Sequence, residues 1–275
     1  MSALLRTLRE RAQSNPGEVL LEGGGESLTA IELLARVEEL ALALRGRGVS
    51  RVALYADNSP AWAVVDLACQ SAEVCLIPLP TFFSESQLQH TLAAAGVELL
   101  IHPEGRSLPF LLPTQGVAAA VPAIPGFVMC ATGLTAGGAI PPGTDKITFT
   151  SGSTGAPKGV CLATAQCLEV ASALLAVIEV DRPRHLCVLP LSTLLENIGG
   201  IYMPLLAGGS VILASPSELG LQGSAGVDGK RFLRALHDYR PNTLILVPEL
   251  LAQLDAALQA GWEPPSSLEF VAVGG

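Results

Sequence analysis

The residues best equipped for chemistry form one run, Thr150-Ser-Gly-Ser-Thr-Gly-Ala-Pro-Lys-Gly159. Gly152, Gly155 and Gly159 leave the backbone bare and permit positive φ, so several N–H groups can turn toward one anion. Thr150, Ser151, Ser153 and Thr154 add hydroxyl donors, and Lys158 supplies a mobile positive charge suited to phosphate oxygens. Pro157 keeps Ala156 out of helical geometry, which holds the turn open as far as the lysine. By composition this is a polyphosphate cradle. Its spacing is not that of a Walker A loop, in which the lysine directly follows the second glycine; here Ala156 and Pro157 stand between Gly155 and Lys158.

The elements around the cradle follow from pattern. Residues 146–150 suit a strand, and residues 159–162 a short return strand. Upstream, residues 2–12 read as a helix and 19–22 as a strand. A longer helix begins at a Thr29/Glu32 capping box and carries an apolar stripe of Ile31, Leu33, Leu34, Val37, Leu40, Ala41 and Leu44. Between residues 51 and 101, three strands alternate with two helices, one starting near Pro60 and one capped by Ser84 with Gln87; this order implies parallel pairing. The Pro- and Gly-rich stretch 102–144 predicts irregular pieces with one strand at most. Downstream, Thr164 is a candidate N-cap for a helix reaching Val177, and 184–190 is a strand. Helices are expected over 197–206, from Asp228 to His237 and from Pro248 to about Ala260, and strands over 210–213, 243–247 and 268–273.

Composition removes several function classes. The net charge is −9, and no basic cluster exceeds short pairs such as Lys230-Arg231, so a nucleic-acid surface is not expected. Six cysteines without a CxxC pair, mostly in apolar surroundings, read as reduced core residues. The apolar run from 117 to 134 is broken by Pro122, Pro125, Gly126 and Gly133, which argues against a membrane span. Charges at Arg6, Arg9, Glu10 and Arg11 interrupt the early leucines, so no leader is read and a cytoplasmic location is expected. His90, His102 and His237 have no partner at metal spacing, and no metal site is assigned.

The cradle resembles the phosphate-loop signature of the adenylate-forming, AMP-binding superfamily, which includes acyl-CoA synthetases, luciferases and peptide-synthetase adenylation domains. Asn58, Trp62, Pro78 and Pro80 resemble the same superfamily's early region, with Glu73 where its members usually carry glycine. Leu189-Pro-Leu-Ser-Thr-Leu-Leu-Glu-Asn197 is similar to a second motif, Leu-Pro-Leu-x-His-x-x-Glu in long-chain fatty-acyl ligases, with Thr193 in place of histidine and Glu196 matching. The last residues, Val271-Ala-Val-Gly-Gly275, resemble a strand running into the family's Gly-Gly-Ala-like turn.

The resemblance implies an α/β fold, the N-terminal part of the large adenylate-forming domain, built of two mainly parallel sheets flanked by helices. Residues 51–183 are expected to form a subdomain bearing the phosphate loop, and 1–50 with 184–275 a second. The adenine- and magnesium-binding segment, the hinge and the small lysine-bearing domain of a family enzyme would lie beyond residue 275, so this chain alone is expected to be inactive. The activity implied is that of an ATP-dependent acid–thiol ligase: a carboxylic acid is adenylated with loss of pyrophosphate, then passed to the thiol of CoA or an acyl carrier protein. ATP, Mg2+ and CoA are the implied cofactors. The implied phosphate site is Thr150, Ser151, Gly152, Ser153, Thr154, Gly155, Lys158 and Gly159, with Lys158 catalytic; Thr193, Glu196, Gly274 and Gly275 are implied to border the acyl pocket.

Amino-acid-activating relatives carry an aspartate in the second motif. Ser192-Thr193-Leu194-Leu195 has none, so a fatty acid is favoured over an amino acid and, on the Leu-Pro-Leu pattern, over an aryl acid. Leu191, Leu194, Leu195, Ile198 and Val273 would suit an apolar acid and would equally suit a core. Glu196 reads equally well as a carboxylate favourable to a helix start. Two other readings remain open, an aryl-acid or carrier-protein ligase and a non-catalytic module that binds nucleotide or a partner. An open strand edge at 268–273 is expected to favour a homodimer.

Overall fold

The computed structural model describes residues 1–110, 112, 118–134, 138–150, 156–221 and 226–274. The chain passes back and forth between two units, the first of residues 1–6, 31–56 and 61–167, the second of residues 7–30, 57–60 and 168–275. Residues 31–50, expected with the second subdomain, group with the first.

In chain order, α1 (Ala3–Ser14) precedes a hairpin of β1 (Val19–Gly23) and β2 (Glu26–Thr29). Its turn places Gly24 and Gly25 at φ 60° and 76°, as a tight hairpin turn demands. α2 (Ala30–Arg47) buries Leu33, Val37, Leu40, Ala41 and Leu44, while Ile31, expected in the stripe, is exposed. There follow β3 (Arg51–Leu54), α3 (Pro60–Ala72), β4 (Cys75–Pro78), α4 (Glu85–Ala95) and β5 (Leu99–Pro103). Ser84 and Gln87 close the expected capping box at the start of α4, and Gly96 ends it in the left-handed region.

Between β5 and the cradle, the chain forms two strands where one at most was expected, β6 (Ala119–Ala120) and β7 (Phe127–Ala131). Both run antiparallel, β7 against β5 and β6 against β7, so backbone pairing at the sheet's open side prevails over the local prolines and glycines. Next come β8 (Lys146–Thr150), β9 (Lys158–Leu162) and α5 (Thr164–Leu175). Thr164 is the first residue of α5; the capping is done by Asp145, whose carboxylate accepts the Thr164 N–H at 2.7 Å, and by Gln166, whose side chain accepts the Ala163 N–H. The seven strands of this unit are ordered β6-β7-β5-β3-β4-β8-β9, parallel from β5 through β8. Tyr55, Ile77, Leu88, Leu100 and Phe149 lie in its core.

The second unit adds β10 (Arg184–Leu186), α6 (Leu194–Glu196), a π-helical segment (Asn197–Tyr202), α7 (Met203–Leu206), β11 (Ser210–Ile212), α8 (Gly229–Tyr239), β12 (Thr243–Leu246), α9 (Pro248–Gln259) and β13 (Phe270–Val273). Asp228 caps α8 as expected, accepting the Arg231 N–H. Its sheet, β13-β12-β10-β11-β1-β2, is parallel except at β2. The edge strand β13 is only half-buried, and Leu251, Leu254, Leu258, Trp262, Leu268 and Val271 line an apolar groove of about 480 Å³ beside it.

The six cysteines are free thiols, five of them buried, and burial pushes Cys75 up to about 12, which keeps it protonated and inert. Among the described residues no helix is long and apolar enough to cross a membrane.

Candidate functional site

The cradle lies at the tip of the β8–β9 hairpin. Ser151, Gly152, Ser153, Thr154 and Gly155, and likewise Gly275, lie outside the described residues. What the structure fixes is the base. Thr150 pairs in register with Lys158, and Phe149 with Gly159, so the two ends of the loop are held on adjacent strands. Lys158 is exposed, and among the described residues no acidic side chain pairs with it. Gly159 lies close against the strand beside it: a Cβ there would stand 2.9 Å from Phe149 Cζ and 3.0 Å from Ile147 Cγ2, so those side chains would have to shift. His90 of α4 contacts the Pro157 carbonyl at 3.1 Å, steadying the backbone just before the lysine.

Beneath the hairpin is a pair that motif reading passed over. Lys146, the first residue of β8, forms a buried ion pair with Asp66 of α3. The signal was a lone carboxylate in the otherwise apolar helix Pro-Ala-Trp-Ala-Val-Val-Asp-Leu-Ala-Cys.

In the second unit the 189–197 motif is anchored by Asn58. Its side-chain amide donates to the Leu189 carbonyl at 2.8 Å, and its oxygen accepts the Leu191 N–H at 2.9 Å, clamping the turn at Pro190 from both sides. Thr193 is half-buried and its hydroxyl donates to the Pro190 carbonyl at 2.7 Å, so this side chain is folded onto its own turn. Gly274 packs against the motif, where a Cβ would come 2.6 Å from Leu195 Cδ2. Of the apolar candidates, Leu191 and Ile198 are core residues, whereas Leu195 is 40% and Val273 49% exposed.

Glu196 is fully buried and points inward to His185 of β10 and to Cys187. His185 Nε2 is 3.5 Å from Glu196 Oε1, a close contact that falls short of hydrogen-bond geometry. Burial pushes the Glu196 carboxyl up against the opposing pull of His185. Burial, then the adjacent carboxylate, pushes the Cys187 thiol well above its usual range. His185 carries no signal in the sequence beyond Cys187 two residues on, because Thr243 comes from β12 and Glu196 from α6.

Comparison with known proteins agrees with this architecture. A family model described as AMP-binding enzyme matches residues 8–275. The chain is 34% identical over 224 residues to a feruloyl-CoA synthase of Amycolatopsis sp, covering 76% of this chain and 43% of that protein. It is 29% identical over 302 residues to the fatty acid–[acyl-carrier-protein] ligase MmaC of Mycobacterium marinum, covering 100% of this chain and 53% of that protein. Its fold is similar to o-succinylbenzoate CoA synthetase (MenE) from Bacillus subtilis in complex with the acyl-adenylate intermediate OSB-AMP, with a TM-score of 0.72 at 20% identity over 98% of this chain and 68% of that one. The chain spans about half the length of the relatives it matches.

Proposed function

From the premise that this chain belongs to the AMP-binding enzyme family, we propose that its protein activates a carboxylic acid with ATP and passes the acyl group to a thiol. The observation that carries the reading is the β8–β9 hairpin, which presents Thr150 opposite an exposed Lys158 at the two ends of a Gly/Ser/Thr loop. In this reading Thr150, Ser151, Gly152, Ser153, Thr154, Gly155 and Gly159 hold the β- and γ-phosphates. Lys158 steadies the departing pyrophosphate as a carboxylate oxygen attacks the α-phosphorus. Such a transfer draws mainly on positioning and charge neutralisation, the two things this hairpin offers. Mg2+ and the CoA or carrier-protein thiol are given no residue of this chain.

The acid is read as apolar. Leu195 and Val273 present exposed apolar surface, and Thr193 brings no charge. A fatty acid fits this set, in keeping with the likeness to MmaC. An aryl acid is the second reading, favoured by the 34% identity to a feruloyl-CoA synthase. Association of copies through the β13 edge belongs to the same proposal, and a monodisperse monomer in light scattering would remove it.

Acid-dependent ATP–pyrophosphate exchange by the whole protein, with alkanoic acids of increasing length, cinnamic-type acids and amino acids, tests the reading. Exchange with alkanoic acids supports a fatty acid, and exchange with aryl acids alone supports the second reading. No exchange, in a folded protein that binds ATP, would leave a non-catalytic nucleotide-binding module.

A further inference from the structure

We infer that His185, Cys187 and Glu196 form a binding site for one divalent transition-metal ion of the zinc class, independent of the adenylation chemistry proposed above. A ring nitrogen, the thiol sulfur and a carboxylate oxygen all lie within 4.8 Å of one another, and all three side chains are buried. Nitrogen, sulfur and oxygen together are a donor set that zinc accepts.

The spacing suits an ion better than a direct bond. His185 Nε2 and Glu196 Oε1 are 3.5 Å apart, and neither they nor Glu196 Oε2 has a hydrogen-bond partner. Two ligands on one tetrahedral zinc, each about 2.0–2.1 Å from the metal, stand roughly 3.3 Å apart. Leaving three such atoms unsatisfied in a dry interior is costly, and an ion at their centre satisfies them together.

The surroundings are arranged accordingly. His185 Nδ1 is 3.0 Å from the Thr243 hydroxyl. With the Nδ1 proton donated there, Nε2 turns its lone pair into the cluster, the arrangement that orients a metal-bound imidazole. Gly200 keeps the centre open, since a Cβ at that position would stand 2.9 Å from Cys187 Sγ and 3.2 Å from Glu196 Oε1. Its carbonyl accepts the Cys187 thiol proton at 3.6 Å, the proton that metal binding would displace. Charge balances as well: a dication, one thiolate, one carboxylate and a neutral imidazole sum to zero. Binding releases the thiol proton to solvent and involves no change of oxidation state. The ion would tie the π-helical segment and the end of α6 to the sheet through β10 and the residue after it.

The test uses the 275-residue chain with zinc and cobalt(II) as probes. Metal content after expression in zinc-supplemented medium is expected to be one zinc per chain. Refolding with one equivalent of cobalt(II), without oxygen, is expected to give tetrahedral d–d bands and a thiolate-to-cobalt charge-transfer band. Cys187→Ser should lose the charge-transfer band, whereas Cys69→Ser and Cys167→Ser keep it. Thr243→Val should lower cobalt affinity about 10- to 100-fold. Should Cys187→Ser not fold, zinc-edge X-ray absorption on the unaltered chain decides, with one sulfur among nitrogen and oxygen neighbours expected. A folded chain that is metal-free as purified and shows no charge-transfer band after refolding with cobalt overturns the site and leaves a buried His185–Glu196 pair beside a thiol.

Discussion

The ammonium nitrogen of Lys146 stands 2.8 Å from Asp66 Oδ1, with the two side chains 5% and 0% exposed. The pair ties α3 to the strand that becomes the phosphate loop, where either charge alone would be stranded away from water. Removing one partner from such a pair costs about 3–5 kcal/mol, while replacing both by apolar groups of similar volume is often close to neutral. Asp66→Asn is therefore expected to lower the urea unfolding midpoint steeply. The double change Asp66→Leu with Lys146→Met should recover most of the loss. Additive losses in the double variant would show that the two residues are not acting as a pair.

Lys158 calls for the opposite result. It is exposed and no carboxylate among the described residues pairs with it, so Lys158→Ala should leave stability within about 0.5 kcal/mol. If the lysine neutralises charge developing on the departing pyrophosphate, the same change should slow ATP–pyrophosphate exchange roughly 100- to 1000-fold at saturating ATP, with a smaller effect on the concentration of acid needed. An unchanged maximal rate would take the lysine out of that role.

Glu73 carries a backbone penalty that its side chain does not require. It follows the end of α3 with φ 58°, a left-handed conformation that costs a residue with a Cβ roughly 1–2 kcal/mol. The family resemblance predicts glycine at this position, and the geometry gives the reason. Glu73 is exposed, so Glu73→Gly sacrifices no packing. The gain is reduced by the greater freedom of glycine in the unfolded chain, leaving a net stabilisation of about 0.5–1 kcal/mol. Thermal unfolding should move upward by a few degrees; a lower midpoint would mean that the Glu73 side chain contributes more than its strain removes.

These residues also mark what could be read in the sequence. Ser84 with Gln87, Asp228 and Pro248 announce their helices because capping is settled within one turn of chain. The parallel order of β3, β4 and β5 follows from strand–helix alternation, and β8 with β9 from a strand that breaks at glycines. Other features depend on partners distant in sequence. β6 and β7 exist because β5 offers an open edge. Within the π-helical segment Gly199 and Gly200 lie against Ile245 and Cys187, where a Cβ would stand 2.7 Å from Ile245 Cδ1 and 2.9 Å from Cys187 Sγ. Lys146 and Asp66 meet only once the sheet and α3 are assembled; His185 and Cys187, two residues apart, share one face of the chain at β10, but Glu196 reaches them only through the turn at Pro190.

Glu218 provides a test by pH. Burial raises its carboxyl, but the Ser215 hydroxyl and N–H, each 2.7 Å from Oε2, and the Tyr239 hydroxyl, 3.2 Å from Oε1, outweigh it, and the net shift is below the ordinary 4.5. These donors prefer the ionised form, so they fasten the 215–218 turn to the end of α8 only while the carboxylate keeps its charge. A carboxyl whose folded value lies below its unfolded one contributes stability that is fully present above 4.5 and disappears as pH falls through the folded value. Glu218→Gln should therefore be less stable than the unaltered chain at neutral pH. The gap should narrow below pH 4.5 and close under more acid conditions. Tyr239→Phe, which removes one donor, should reduce the neutral-pH gap without abolishing it. Urea midpoints for the three proteins across the acid range decide the matter, and a gap independent of pH would show that Glu218 acts there by shape and not by charge.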